Sequence, residues 1–335
     1  MPWRILIPDR LQPPADIEQS VFGDETVCFM PVTEDPDAVS PEHWAQADAV
    51  LIWHEMELTA SVLARLKRCR VIVRIGVGFD NVDIEAAGAQ GIWVCNVPDY
   101  GTEDVADHSI GLVLAIERGL LSYDREARGG SWSWDAAGPL RRVRGLKLGI
   151  IGLGRIGTAT AMRGRALGMD VLFYDPYKPV GYDKALGFEQ VHELDDFLSR
   201  ADVVSIHVPL TDETRNMADE SFFSRLPPGA VFINAGRGQC HNMDALYDVL
   251  RSGHLRGAGL DVLPEEPPPA DHPLIKAWRQ EADWLKGRLI ITPHAAFYNQ
   301  ESYAEMRRKA AEEALRVLEG RPPRSPVNKQ WLKRQ

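Results

Sequence analysis

Short apolar runs alternate with longer helix-compatible stretches along most of the chain, and this alternation limits the fold more than any other feature. Such runs, rich in Val, Ile and Leu, are typical of strands buried on both faces of a parallel sheet. One set lies at 4–7, 27–30, 49–53, 71–75 and 92–95, and a second at 146–151, 170–174, 202–207, 230–234, 257–262 and 289–292. A stretch of helical periodicity, 102–118, separates the two sets. The pattern predicts an α/β protein with two doubly wound parallel sheets.

Composition narrows the classes of protein to which such a chain can belong. Its 335 residues are enough for two domains, and its net charge of −10 disfavours a direct nucleic-acid partner. Four widely spaced cysteines form no CxxC motif, so neither a disulfide framework nor a metal site is expected. No stretch of 18 consecutive apolar residues occurs, which predicts no membrane association. We therefore expect a cytoplasmic protein.

A glycine-rich turn follows the first run of the second set. Gly152-Leu-Gly154-Arg-Ile-Gly157 comes directly after a predicted strand and precedes a predicted helix, 158–167. The three glycines permit a tight turn, a close approach of a pyrophosphate and close packing of helix on strand, while the helix N-terminus favours phosphate. The turn therefore predicts a dinucleotide site. At this point a methyltransferase that binds an S-adenosyl cofactor remains an alternative.

An acidic residue follows the next predicted strand. Asp175 lies 18 residues after Gly157, where a carboxylate can accept hydrogen bonds from the ribose hydroxyls of an adenosine. The same carboxylate would repel a 2′-phosphate. The sequence therefore favours NAD over NADP as the cofactor.

Three charged or titratable residues follow successive strands of the second predicted sheet. These are Arg237, Glu266 and His294. Because ligands of open α/β sheets bind beyond the carboxyl ends of the strands, the three side chains are expected to converge. Arg237 can grip a substrate carboxylate, His294 can exchange a proton with a carbonyl oxygen, and Glu266 can orient the imidazole. A methyl-transfer reaction does not require these three residues, so they disfavour the methyltransferase alternative.

Several motifs resemble the D-2-hydroxyacid dehydrogenases over nearly the whole chain. They are Arg74-Ile-Gly-Val-Gly-Phe-Asp-Asn-Val-Asp83, Gly91-Ile-Trp-Val-Cys-Asn-Val-Pro98, Gly149-Ile-Ile-Gly-Leu-Gly-Arg-Ile-Gly157, Asn234-Ala-Gly-Arg-Gly238, Gly259-Leu-Asp-Val-Leu-Pro-Glu-Glu-Pro267 and Thr292-Pro-His-Ala-Ala-Phe-Tyr298. The resemblance implies a Rossmann-type NAD domain, 99–298, inserted into a flavodoxin-like substrate domain made of 1–98 and 299–335. It also implies that Arg237, Glu266 and His294 form the catalytic set.

The same resemblance implies further contacts. The backbone at Gly76 and Val77, together with Arg237, His294 and Phe297, would bind the substrate. The cofactor would contact Gly152, Gly154, Arg155, Ile156, Gly157, Asp175, Pro209, Thr214, Ala235, Gly236, Arg237, Asp261 and His294. Members of this family are usually homodimers, so a homodimer is expected.

These inferences lead to an NAD-dependent oxidoreductase that interconverts a 2-oxo acid and a D-2-hydroxy acid. The alternative is a corepressor-like or redox-sensing protein that binds NAD(H) with little turnover. The segment His294 to Tyr298 is similar to that of the C-terminal binding protein branch, in which Trp usually stands at the position of Phe297. The histidines His108, His192, His207, His241, His254 and His272 are expected to be structural or solvated, with no metal ligand among them.

Overall fold

The computed structural model describes residues 2–332, and Met1 and 333–335, at the ends of the predicted substrate domain, lie outside the described residues. The chain forms two compact units, one of 1–101 with 298–335 and the other of 102–297. We call them unit 1 and unit 2. Within the described residues, no helix has the length and apolar character needed to cross a membrane.

Unit 1 contains a parallel sheet of five strands in the order β2-β1-β3-β4-β5, which is the flavodoxin-like order. The central strands β3 and β4 are buried at every residue, as expected when helices cover both faces. Its elements up to residue 96 are β1 (Arg4–Leu6), α1 (Asp16–Phe22), β2 (Val27–Phe29), α2 (Pro41–Gln46), β3 (Ala49–Ile52), α3 (Ala60–Leu63), β4 (Val71–Arg74), α4 (Ile84–Ala89) and β5 (Trp93–Asn96).

Unit 2 contains a parallel sheet of seven strands in the order β12-β11-β10-β9-β6-β7-β8. The strand order reverses between β6 and β9, which makes the carboxyl ends of these two strands a topological switch point. Its elements are α5 (Thr102–Glu117), α6 (Leu120–Arg128), β6 (Lys147–Ile151), α7 (Arg155–Ala166), β7 (Asp170–Tyr174), α8 (Tyr182–Leu186), β8 (Glu189–Gln190), α9 (Leu194–Arg200), β9 (Val203–Ile206), α10 (Glu220–Arg225), β10 (Ala230–Asn234), α11 (Met243–Arg251), β11 (Leu255–Leu260), α12 (Pro273–Arg279) and β12 (Leu289–Ile291).

The chain returns to unit 1 in its last helix, α13 (Gln300–Leu318). The helix begins with a capping box, in which the Asn299 side chain accepts a hydrogen bond from the Ser302 N–H at 2.7 Å. Arg307 on α13 donates to both oxygens of the fully buried Glu18 on α1, at 2.9 and 2.6 Å. This buried ion pair fixes α13 against α1, because either charge without the other would be strongly unfavourable.

The structure departs from the sequence-based expectation at two short elements of unit 2. Six strands were predicted there, but β8 adds a seventh strand of two residues beside β7. Helix α6 was also not predicted. It has no buried residue, so the apolar periodicity that identifies a helix packed on a core is absent from it.

Candidate active site

The glycine-rich turn joins β6 to α7 at the topological switch point. Gly152 has φ +86°, and a Cβ at Gly157 would lie 2.1 Å from the Gly152 carbonyl oxygen, so neither position accepts a side chain without movement of the backbone. Gly154 is the N-cap of α7, no side chain caps the helix there, and no atom would lie within 4 Å of a Cβ at this position. The N-terminus of the twelve-residue helix α7, which is the positive end of its dipole, therefore faces open space at Gly154. The turn fits the pyrophosphate of a dinucleotide.

Asp175 lies directly after β7 and is tied to the glycine-rich turn. Its Oδ2 accepts a hydrogen bond from the Leu153 N–H at 2.9 Å, and its Oδ1 accepts one from the Tyr177 N–H at 3.0 Å. The Tyr177 hydroxyl in turn donates to Glu213, and this bond, with further repulsion from Asp175, raises the pKa of Tyr177. Two carboxylates thus create a negative field at this end of the turn.

Arg237 lies in a turn that follows β10, and the fully buried Asn234 shapes that turn. The Asn234 Oδ1 accepts from the Gly236 N–H at 3.0 Å, and its Nδ2 donates to the Arg237 carbonyl oxygen at 2.9 Å. Gly238 then passes so close to the chain after β11 that a Cβ there would lie 1.9 Å from the Leu263 carbonyl carbon. Arg237 is therefore held beside the segment that carries Glu266. Its side chain is half-buried.

His294 and Glu266 form a hydrogen-bonded pair beyond the adjacent strands β12 and β11. The His294 Nδ1 lies 2.8 Å from the Glu266 Oε2, and the Glu266 Oε1 accepts the Leu263 N–H at 2.8 Å. An ionised carboxylate can only accept, so Nδ1 carries a proton and donates it to Glu266. Both side chains remain partly exposed, at 24% and 33%. The imidazole has a second ring nitrogen, Nε2, that can also carry and exchange a proton.

The backbone of His294 is strained, and Asp261 holds it in place. His294 has φ +52°, which is unusual for a residue other than glycine. Its N–H donates to the Asp261 carbonyl oxygen at 2.7 Å, while the Asp261 carboxylate accepts the N–H groups of Ala295 and Ala296, both at 2.9 Å. Strain of this kind persists only where the surrounding structure imposes it, and it is concentrated at functional sites.

The other predicted cofactor residues of unit 2 lie at the ends of its strands. Thr214 donates through Oγ1 to the Pro209 carbonyl oxygen at 2.6 Å, which closes the loop after β9. Ala235 and Gly236 follow β10 directly and are half-buried, while Arg155 and Ile156 begin α7. Phe297 packs edge-on against the His294 ring, with ring centroids 6.4 Å apart.

Gly76 and Val77, the predicted backbone contacts for substrate, belong to unit 1 and follow β4. The Asn96 Nδ2 donates to the Val77 carbonyl oxygen at 2.6 Å. The Val97 N–H donates to the Gly76 carbonyl oxygen at 2.9 Å. The Arg74 guanidinium lies against Gly76, where a Cβ would come within 1.7 Å of its Nη1. Gly76 also has φ +145°, a backbone conformation that favours glycine.

Asn234 and His241 support the site but were not singled out as functional from the sequence. His241 is fully buried, and burial lowers its pKa to about 4, so its ring is neutral at pH 7. The Asn234 Nδ2 lies 3.0 Å from the His241 Nδ1, which accepts its hydrogen bond. This pairing fixes the Asn234 amide that shapes the Arg237 turn. The feature of the sequence that could have indicated this role of Asn234 is its position at the end of a buried apolar strand.

Among residues 2–332, no group of three or more His, Cys, Asp or Glu side chains is arranged so that it could hold a metal ion.

Comparisons with known proteins agree with this geometry. Residues 110–296 match the family model described as D-isomer specific 2-hydroxyacid dehydrogenase, NAD binding domain. The chain is 35% identical over 295 residues to a glyoxylate reductase of Korarchaeum cryptofilum, covering 87% of this chain and 86% of the relative. It is 36% identical over 286 residues to C-terminal-binding protein 1 of Caenorhabditis elegans, covering 83% of this chain but only 38% of that longer protein.

A solved structure shows the same fold over the full length of the chain. It is the NADPH-dependent glyoxylate/hydroxypyruvate reductase of Sinorhizobium meliloti in complex with NADP and malonate, which has a TM-score of 0.85 and 27% identity and covers 100% of this chain and 99% of that one. The fold class predicted from the sequence is thereby confirmed, and so is the assignment to the nicotinamide-dependent oxidoreductases. The chain belongs to the D-isomer specific 2-hydroxyacid dehydrogenase family.

Proposed function

We propose that this protein is an NAD-dependent dehydrogenase that interconverts a small 2-oxo acid and the corresponding D-2-hydroxy acid. The observation that carries the proposal is the His294–Glu266 pair, at 2.8 Å. Glu266 follows β11, which lies between β12, the strand before His294, and β10, the strand before Arg237. A proton donor and a carboxylate-binding arginine are the two groups that such a reaction needs from the protein.

In the proposed reaction, the bound nicotinamide supplies or accepts the hydride. His294 donates the proton on Nε2 to the carbonyl oxygen of the substrate during reduction and removes it during oxidation. Glu266 keeps the imidazole in the required orientation and stabilises its charged form through the bond to Nδ1. The Leu263 N–H holds the carboxylate of Glu266 at its other oxygen.

The substrate-binding roles follow from charge and position. Arg237 grips the substrate carboxylate with two N–H groups and polarises the neighbouring carbonyl. The backbone at Gly76 and Val77 also binds the carboxylate, and Phe297 contacts the substrate side chain. Unit 1 is thus proposed as the substrate domain and unit 2 as the cofactor domain.

The cofactor roles are assigned in the same way. The turn Gly152–Gly157, with Arg155 and Ile156 at the start of α7, holds the pyrophosphate, and Asp175 accepts the hydroxyls of the adenosine ribose. The loop from Pro209 to Thr214 lies on the adenosine side. Ala235, Gly236 and Asp261, at the ends of β10 and β11, lie on the nicotinamide side.

The proposal is tested with a panel of 2-oxo acids from glyoxylate through hydroxypyruvate to phenylpyruvate, with NADH oxidation followed by absorbance. Turnover of at least one member, with a product of D configuration, is expected. The similarity to two glyoxylate reductases makes glyoxylate and hydroxypyruvate the first substrates to examine.

We predict that NADH binds at least about tenfold more tightly than NADPH, a difference of about 1.4 kcal/mol. The Asp175 carboxylate, with Glu213 nearby, opposes a 2′-phosphate through like charge. Fluorescence titration of both cofactors gives the ratio of dissociation constants. Asp175→Ala should reduce that ratio, whereas Asp170→Ala, at the exposed opposite end of β7, should leave it unchanged. Equal dissociation constants in the unaltered protein would contradict this role of Asp175.

We also propose a homodimer formed through unit 2. Trp132 and Trp134, in the loop after α6, are 94% and 87% exposed, and Leu120 and Leu121 on α6 are 53% and 42% exposed. The same leucines line a hollow of about 760 Å³ with Trp278 and Leu285. Exposed apolar surface of this extent is typical of an interface.

The dimer prediction is tested with the double variant Trp132→Ser, Trp134→Ser. Sedimentation should give twice the 37.4 kDa chain mass for the unaltered protein and a large monomer fraction for the variant, because the apolar contact is lost. Val180→Ser, which alters a side chain 87% exposed elsewhere in unit 2, is the matched control and should remain dimeric. A monomeric unaltered protein would overturn the proposal.

A corepressor-like or redox-sensing role is a second candidate, favoured by the 36% identity to C-terminal-binding protein 1. Because this chain spans 38% of that relative's length, the similarity concerns the shared dehydrogenase-like part. Tight NADH binding without turnover of any 2-oxo acid would favour this candidate over the enzyme.

The proposed compartment is the cytoplasm. Its support is the state of Cys28, Cys69 and Cys95, which are free thiols, and of these Cys95 is buried. Burial raises the pKa of Cys28 to about 11 and that of Cys69 to about 12, which keeps these thiols protonated and unreactive.

A further inference from the structure

A chain of polar side chains connects helix α5 to the turn that carries His294. The His108 Nε2 lies 2.9 Å from the Thr292 Oγ1, although the two residues are 184 positions apart in sequence. The Thr292 hydroxyl donates to the Asp261 Oδ1 at 2.5 Å. The His108 Nε2 is itself 3.6 Å from the same carboxylate oxygen.

The proton positions in this chain follow from the acceptor at its end. The Asp261 carboxylate is almost fully buried, with 1% of its side chain exposed, and in its ionised form it can only accept. Thr292 therefore uses its single proton on Asp261 and accepts from His108. His108 must therefore carry its proton on Nε2. The directions of the His108–Thr292 and Thr292–Asp261 hydrogen bonds are thus both fixed.

The Asp261 carboxylate, to which His108 and Thr292 are connected, also holds the turn that carries His294. Its two oxygens accept the N–H groups of Ala295 and Ala296, and the Asp261 carbonyl accepts that of His294. A rotation of the Asp261 carboxylate would therefore break its hydrogen bonds to the N–H groups of Ala295 and Ala296. These residues directly follow His294, whose φ of +52° is maintained only by the surrounding structure. The Thr292 hydroxyl resists this rotation because it binds one of the two oxygens.

We propose that His108 and Thr292 are positioning residues that lock the Asp261 carboxylate and, through it, the orientation of His294. His108, expected from the sequence to be structural or solvated, acquires a defined task in this arrangement. The inference rests on the proposed function in one respect only, the use of His294 as the proton donor. The effect on the turn itself is independent of any reaction.

The main test compares Thr292→Val, which keeps the shape of the side chain and removes the hydroxyl, with Thr292→Ser, which keeps the hydroxyl. In Thr292→Val, kcat should fall by about tenfold to 100-fold, because small displacements of a reacting group have effects of this size. The KM for the 2-oxo acid should change much less. Thr292→Ser should recover most of kcat.

A second readout does not require turnover. Hydrogen exchange of the protein without added cofactor should be faster at the amides of Ala295 and Ala296 in Thr292→Val, and close to normal in Thr292→Ser. Thr160→Val is the matched control, since the Thr160 hydroxyl is buried and bonded only within its own helix α7, to the Ile156 carbonyl oxygen at 3.0 Å. That control should leave both kcat and the exchange of the turn unchanged.

The histidine is tested with His108→Gln and His108→Leu. A glutamine amide can donate a hydrogen bond to the Thr292 oxygen, whereas leucine cannot. His108→Gln should therefore retain more of kcat than His108→Leu, and hydrogen exchange at Ala295 and Ala296 should be slower in it. Thr292→Val and His108→Leu proteins that retain full kcat and normal exchange at Ala295 and Ala296 would overturn the inference. If the unaltered protein reduces no 2-oxo acid, the proposed function fails, and the exchange data alone then decide whether this chain of bonds holds the turn.

Discussion

Replacing His294 by alanine should lower kcat for 2-oxo acid reduction by about 10²–10⁴-fold, the range typical of a lost general acid. In the proposed reaction Nδ1 is bonded to Glu266 at 2.8 Å and Nε2 delivers the proton, and alanine has no replacement for this group. The dissociation constant of NADH should change far less than kcat, since the glycine-rich turn and Asp175 are untouched. Steady-state kinetics with a good substrate and fluorescence titration give the two quantities.

A second variant separates the loss of the proton from strain in the backbone. Because residue 294 has φ +52°, alanine is unfavourable there, whereas asparagine adopts this conformation more readily. His294→Asn should therefore keep the turn and still lose the activity. His192→Ala, which alters an exposed histidine of unit 2, is the control and should retain full activity. Full activity in both His294 variants would mean that the proton comes from another group.

Glu266→Gln should give a smaller loss than removal of His294. The neutral amide accepts the Nδ1 hydrogen bond less strongly than a carboxylate does and therefore orients the ring less well. Steady-state kinetics should show a lower kcat with little change in the dissociation constant of NADH. An unchanged kcat in this variant would show that Glu266 does not act through His294.

The architecture of both sheets was predictable because parallel strands covered on both faces are nearly continuous apolar runs. Strands β3, β4, β9 and β10 are buried at every residue, and each was predicted close to its observed position. The misses have a common physical reason. Strand β8 has only two residues, and α6 packs no side chain into a core, so neither leaves a periodic pattern in the sequence.

The candidate site was predictable to the extent that it depends on the carboxyl ends of strands. Arg237, Glu266 and His294 were grouped because each follows a strand, and the structure makes those strands neighbours and bonds Glu266 to His294. The supporting contacts were not predictable. His108 lies on a helix far from Thr292 in sequence, and only the packing of α5 on the sheet brings the two together.

Arg237→Ala should lower kcat/KM for 2-oxo acids by about 10²–10⁴-fold, through a higher KM and a lower kcat together. Two charge-assisted hydrogen bonds to the substrate carboxylate are each worth about 1.5–3 kcal/mol, and every ~1.4 kcal/mol is a factor of about ten. Arg237→Lys should recover only part of this loss, because an ammonium group keeps the charge but not the planar pair of donors. Arg142→Ala, at an exposed position of unit 2, should have no effect.

The carboxylate itself offers the sharpest test of this role. The unaltered enzyme should strongly prefer pyruvate over pyruvamide, because the amide removes the negative charge that Arg237 binds. In Arg237→Ala the preference should largely disappear, since the group that distinguishes acid from amide is gone, even though the absolute rates are low. Arg237 is half-buried on a turn fixed by Asn234, so its removal should alter this preference without unfolding unit 2. A variant that still prefers the acid by the original ratio would assign recognition of the carboxylate to other groups, such as the backbone at Gly76 and Val77.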